Sequence, residues 1–109
     1  MVLMQQLEPT EIMVGDLVLA EVLQGCKTEL EADRTERLLR RFDTDDMLSM
    51  EAARQAARNY RHLRQRGITI RSPIDVMIAT YCMERDYALL TEDRDFNPMA
   101  QHLGLRLIG

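Results

Sequence analysis

Five side chains of this 109-residue chain could together hold a hard cation: Glu21, Asp75, Thr91, Asp93 and Asp95. Four are carboxylates, whose oxygens suit Mg2+ or Mn2+ better than softer ions. A zinc set is missing. Cys26 and Cys82 lie far apart in apolar helical settings and read as buried free thiols of a reducing cytoplasm, and His62 and His102 read as surface residues. No Ser or Cys sits in an obvious nucleophile motif. A cation held by carboxylates, without a side-chain nucleophile, points to activated water and phosphodiester hydrolysis.

Each carboxylate also has a plainer reading. Glu21 interrupts the apolar run Leu17-Val18-Leu19-Ala20-Glu21-Val22-Leu23. It either snorkels to water or must be protonated, paired or bound to a cation. Asp75 stands three residues after Ser72, so Ser72-Pro73-Ile74-Asp75 is a variant of the capping box. The same helix N-terminus would keep that carboxylate anionic for a metal, so the two roles are compatible. Asp93 and Asp95 suit a turn, since Asp bonds readily to the backbone that follows it. They also follow the buried run Tyr87-Ala88-Leu89-Leu90, and ligand crevices of open α/β sheets lie beyond the carboxyl ends of strands. Thr91 would order that turn or hold a metal-bound water.

The elements that must position these residues can be read in order. Glu11–Val14 reads as a strand, and Asp16 as the cap of a buried helix that starts at Leu17 and stops at Gly25. Residues 28–42 read as a charged helix with a thin apolar stripe, and Asp43–Asp46 as a break. Met47–Met50 reads as a short edge strand, and 51–66 as an Ala-rich helix with Arg54, Arg58 and Arg61 on its polar face. Ser72 and Pro73 open a helix over 73–85, with Ile74, Met77, Ile78, Tyr81 and Cys82 on one face. After the strand at 87–90, Asn97 is placed to cap a last helix ending at Gly104, and Leu105–Ile108 reads as a final strand. This alternation predicts one α/β domain over residues 1–109, with a mostly parallel sheet.

Bulk properties agree with a folded, globular chain. It is 46% hydrophobic and 29% charged, and no apolar run reaches the roughly 18 residues of a membrane span. The start MVLMQQLEPTE has no signal-peptide pattern, and the expected location is the cytoplasm. A formal charge of −4 argues against a general polyanion-binding coat but leaves room for a local basic patch. Thirteen of the 14 basic residues are Arg, a bias that a GC-rich coding sequence explains as readily as phosphate binding does.

Three segments together resemble the PIN-domain ribonucleases, and among them the VapC-type toxins of toxin–antitoxin pairs. They are EIMVGDLVLAEVLQG, AARNYRHLRQRGITIRSPIDVMIATYC and LLTEDRDFNPMAQHLGLRLI, and the likeness runs from about Glu11 to Ile108. It implies a three-layer α/β/α fold of PIN type and a ribonuclease dependent on Mg2+ or Mn2+. Glu21, Asp75 and Asp93 would be its metal-holding catalytic residues, supported by Thr91 and Asp95. It further implies an RNA substrate, a VapB-type antitoxin as partner, and a homodimer. The charged helix at 28–42 is a plausible partner surface, and equally a solvated amphipathic helix.

One departure stands out. The family opens with a central strand ending in Asp-Thr or Asp-Ser, and no Asp precedes Asp16 here. Met1-Val2-Leu3-Met4 lies too close to Glu11 for a parallel crossover, so a strand and its helix, roughly 25 residues, are expected to be missing. The expectation is then an unpaired groove between the strands at 11–14 and 87–91, a marginal or edge-pairing monomer, and a metal site short of one carboxylate. The rival reading is a catalytically impaired domain that still binds antitoxin. A helical DNA-binding module using Arg54, Arg58 and Arg61 ranks last, since a helix-turn-helix needs two short helices closely joined.

Overall fold

The computed structural model describes residues 12–108 and, as backbone alone, residues 3–6. Its strands are β1 (Leu3–Gln6), β2 (Ile12–Gly15), β3 (Asp43–Asp45), β4 (Tyr87–Leu90) and β5 (Leu107–Ile108). Its α-helices are α1 (Asp16–Gln24), α2 (Glu29–Leu39), α3 (Met50–Gln65), α4 (Pro73–Glu84) and α5 (Asn97–Leu103). The strands form one sheet in the order β3-β2-β1-β4-β5. β2 pairs parallel with β3 and β4 with β5, while β1 pairs antiparallel with both β2 and β4. Four strands therefore point one way and β1 alone runs against them. This is the expected α/β fold of PIN type.

The central position is not vacant, which corrects the expected groove. Leu3–Gln6 fills it, with Leu3 opposite Leu90, Gln6 opposite Tyr87 and Met4 opposite Met13. The objection to a parallel crossover holds, but an antiparallel neighbour needs only a short connection, and five residues separate Gln6 from Ile12. β2 and β4 thus have the shared partner they were expected to lack, so the unpaired edges between them, and the argument for a marginal monomer built on those edges, fall away.

Local chemistry explains most element boundaries. Thr28 caps α2 through Glu31 N–H (3.1 Å) and Ser49 caps α3 through Ala52 N–H (3.0 Å). Gly104 closes α5 at φ 86°, in the left-handed region. Three expectations are corrected. The edge strand is Asp43–Asp45, paired in register with Met13–Gly15, not Met47–Met50. Tertiary pairing overrides the low strand propensity of Asp there, while Met47 turns into the core. Asn97 is not the N-cap of α5: a single 3-10 turn at Arg94–Phe96, capped by Asp93, leads straight into that helix, of which Asn97 is the first residue. Asp16 lies inside the first turn of α1, and its Oδ1 accepts from Leu17 N–H (2.8 Å) and Met47 N–H (3.0 Å).

The core is built around α4. Its residues Val76, Ile78, Ala79, Thr80, Tyr81 and Cys82 are all buried, so the helix is covered on nearly every side. The single apolar face expected for it was therefore only part of the pattern, and Ile74 lies outside the core at 38% exposure. α3 packs on α4 and α5, α1 packs on β2 and α4, and β4 lies against α4. Leu63, Leu89, Phe96 and Met99 complete this core, each fully buried. Between α3 and α4 a polar chain replaces apolar contact. Gln55 Nε2 donates to Asn59 Oδ1 (3.0 Å), Asn59 Nδ2 to Thr80 Oγ1 (2.9 Å), and Thr80 Oγ1 to the Val76 carbonyl (2.7 Å). Thr80 is thereby satisfied at full burial.

Candidate metal centre at the carboxyl edge of the sheet

β2 and β4 share a direction, so the chain leaves both at the same edge of the sheet. α1 begins at the end of β2 and carries Glu21. The Thr91–Phe96 turn begins at the end of β4 and carries Asp93 and Asp95. The first turn of α4 brings Asp75 to the same place. One carboxylate oxygen from each of Asp75, Asp93 and Asp95 lies within 4.8 Å of those of the other two. That spread allows a single ion to reach all three at ordinary cation–oxygen lengths.

The turn is held from both sides. Asp93 N–H donates to Thr91 Oγ1 (3.0 Å), and Asp95 N–H donates to Asp93 Oδ1 (2.9 Å). Phe96 then anchors it in the core at 1% exposure. Thr91 therefore orders the turn, one of the two uses its sequence position allowed. Asp93 does make the local backbone bond expected of a turn residue, yet through Oδ1 alone among the described residues, which leaves Oδ2 for a ligand. The two readings of Asp93 coexist.

Asp75 behaves differently from the expected capping carboxylate. Ser72 is the N-cap of α4, but its hydroxyl makes no capping bond. Among the described residues no donor reaches the Asp75 carboxylate either. Asp75 is nonetheless only 5% exposed and faces two other acids. Burial raises its pKa to about 7, helped by the charges of Glu21, Asp93 and Asp95. Burial also raises Glu21, with the charge of Asp93 adding to it. Glu21 is half-buried and lies outside the tightest trio, though close enough to be coupled to Asp75 and Asp93. Asp95, expected only as a support, stands in the trio itself. Asp16 is not in the cluster; its carboxylate ties the start of α1 to the segment before α3.

Burial and the neighbouring charges raise Glu21 and Asp75 beside Asp93 and Asp95, and this group of four carboxylates fits a divalent cation, which would relieve that repulsion. The free cysteines take no part: Cys82 is fully buried, its thiol pushed up to about 12, and Cys26 approaches only Thr35 and the Val22 carbonyl. No helix among the described residues is long and apolar enough to cross a membrane.

An α/β sheet with an acidic cluster at its carboxyl edge is an arrangement that could hold a divalent cation. The family model of the PIN domain matches residues 2–101, and the chain belongs to the PIN-domain family. Its members are generally nucleases that use divalent metals, and the trio of Asp75, Asp93 and Asp95 is the group here that could hold one.

Proposed function

We propose that this chain is an endoribonuclease dependent on Mg2+ or Mn2+, the toxin of a VapC-type toxin–antitoxin pair acting in the cytoplasm. The observation that carries the nuclease reading is the buried Asp75, without a hydrogen-bond donor among the described residues, facing Asp93 and Asp95 within 4.8 Å. The toxin reading rests on the resemblance of the three sequence segments, which also supports a VapB-type antitoxin partner and a homodimer.

In this reading Asp75, Asp93 and Asp95 would hold the cation, with Glu21 beside them. When bound, the ion supplies Lewis acidity to the scissile phosphate and activates water. Thr91 would keep Asp93 aimed by fixing the turn, and Glu21, outside the trio that holds the ion, would be the group placed to accept a proton from the attacking water.

The test is cleavage of a mixed RNA pool by purified protein in Mn2+ or Mg2+, with EDTA as the blank. Asp93→Asn and Asp75→Asn should each abolish metal-dependent cleavage and growth arrest on expression. Cleavage or arrest that survives both substitutions would sink the assignment. Binding to antitoxin without any cleavage by the parent protein would instead favour a catalytically impaired domain.

A further inference from the structure

Glu21 and Asp75 sit on α1 and α4, and the short segment Asp45–Met47, outside both helices, is bonded to each of them. At one end Asp45 pairs in register with Gly15, the residue before α1. Its Oδ2 accepts from the Tyr81 hydroxyl of α4 and from Arg85 Nη1 (3.4 Å), and its Oδ1 from Asp46 N–H (3.0 Å). At the other end Met47 N–H donates to Asp16 Oδ1 (3.0 Å), and the Met47 side chain lies in the same core cluster as Val18 of α1 and Val76 of α4. Gly15 is the N-cap of α1 and has no side chain to offer, so Asp16 Oδ1 also takes Leu17 N–H (2.8 Å). Among the described residues the Asp16–Met47 bond is the one side-chain hydrogen bond that joins the first turn of α1 to another part of the chain. No donor among them reaches the Glu21 carboxylate, so the place of Glu21 is inherited from its helix.

We propose that Asp16 is a positioning residue for Glu21. By accepting from Met47 N–H it fixes the start of α1 against the segment that Asp45 anchors to Tyr81, and so sets how Glu21 stands toward Asp75 and Asp93. This rests on the nuclease reading above, in which Glu21 takes the proton, and adds to it the residue that places that group. Glu21 lies five residues beyond Asp16, roughly 7.5 Å along the axis at 1.5 Å per residue. Val18 is buried between the two, so a first turn released from Met47 tilts α1 about that contact and carries Glu21 with it. A shift of about 1 Å in a group of this kind costs up to about a hundredfold in rate. The plainer role for Asp16 is a negative charge favouring the helix N-terminus. That role uses the charge, whereas the bonds to Leu17 and Met47 use only the acceptor oxygen, and the two can be separated.

The experiment compares Asp16→Ala with Asp16→Asn, each alone and combined with Glu21→Gln. Asparagine keeps an Oδ1 for both N–H donors and loses only the charge. In EDTA, amide hydrogen exchange at Ala20 and Glu21 should quicken about tenfold in Asp16→Ala, while the amides of β4 keep the parent's rate and Asp16→Asn matches the parent throughout. Calorimetry should show Mn2+ binding weakened about tenfold by Glu21→Gln and several-fold by Asp16→Ala, with the double variant no weaker than Glu21→Gln alone. In RNA cleavage Asp16→Ala should lower kcat about tenfold or more at unchanged KM, and should lower it no further in the Glu21→Gln background. The exchange readout needs neither metal nor substrate, so it decides this inference even where a parent that binds no Mn2+ and cuts no RNA has removed the nuclease reading. Parent-like exchange in Asp16→Ala would overturn the proposal, as would equal losses in Asp16→Asn and Asp16→Ala. Losses that add to those of Glu21→Gln would also overturn it, since Asp16 would then act on the fold at large.

Discussion

The raised pKa of Asp75 makes stability depend on pH in a direction opposite to that of most acidic residues. Its folded value stands at about 7 against an ordinary 3.8. Between those values the folded state keeps a proton that the unfolded chain has released. Stability of the metal-free protein is therefore full below about pH 4 and is lost as pH rises through 7. A shift of about three units corresponds to roughly 4 kcal/mol at 1.36 kcal/mol per unit. Asp93 is exposed and Asp95 half-exposed, so water screens part of that repulsion, and roughly 2 kcal/mol is the realistic size. For a domain of this length that is a fall in Tm on the order of 10 °C between pH 4 and pH 8.5.

The assay is thermal unfolding in EDTA across that range, for the parent and for Asp75→Asn. The asparagine variant should show a flatter profile, with some slope left by Glu21, whose pKa is raised in the same direction. Its absolute stability is not the readout, because the substitution also alters the first turn of α4. With Mn2+ present the slope of the parent should reverse, since the ion binds the deprotonated cluster and stabilises the folded state by mass action. Parallel profiles for parent and variant in EDTA would refute the coupling inferred for this cluster.

Other perturbations separate the site from the scaffold. Thr91→Val removes the acceptor for Asp93 N–H and should weaken Mn2+ binding several-fold in calorimetry while costing at most about 1 kcal/mol of stability. Tyr81→Phe removes the phenol that bonds Asp45, leaving Asp45 its Arg85 contact at 3.4 Å, and should cost about 1 kcal/mol by urea unfolding. Leu63→Ala opens a cavity at a fully buried position and should cost about 2–5 kcal/mol, enough to unfold a marginal domain. Gly104→Ala should cost about 1 kcal/mol from the positive φ alone, because a methyl group there meets no atom within 4 Å.

Helices and acidic residues were legible in the sequence because both signals are local. The Gly25 stop of α1, the span of α3 and the Pro73 start of α4 are written in neighbouring side chains, and the structure differs from them by a residue or two. The acids were legible by type and by their place at strand and helix ends. Non-local facts were harder. Nothing near Asp43–Asp45 marks a strand; it is one because Met13–Gly15 lies alongside. Asp95 looked secondary because its approach to Asp75 depends on how the 3-10 turn folds back toward α4.

The central strand carries the sharpest lesson about what this site requires. Chain length excluded a parallel first strand, and that reasoning was sound; the step from there to an empty slot was not. A sheet position demands backbone pairing and apolar cover, and either direction satisfies both, so Leu3–Gln6 completes the hydrogen bonding of β2 and β4 while running against them. Direction matters only for what the strand ends deliver. The carboxyl end of β1 lies at the edge opposite the acidic cluster, because Gln6 pairs with Tyr87 at the start of β4 and Leu3 with Leu90 at its end. The cluster draws its carboxylates from α1, from α4 and from the turn after β4, and Asp95 makes the third member of its tightest trio. The sheet can thus use an antiparallel centre without disturbing these acids.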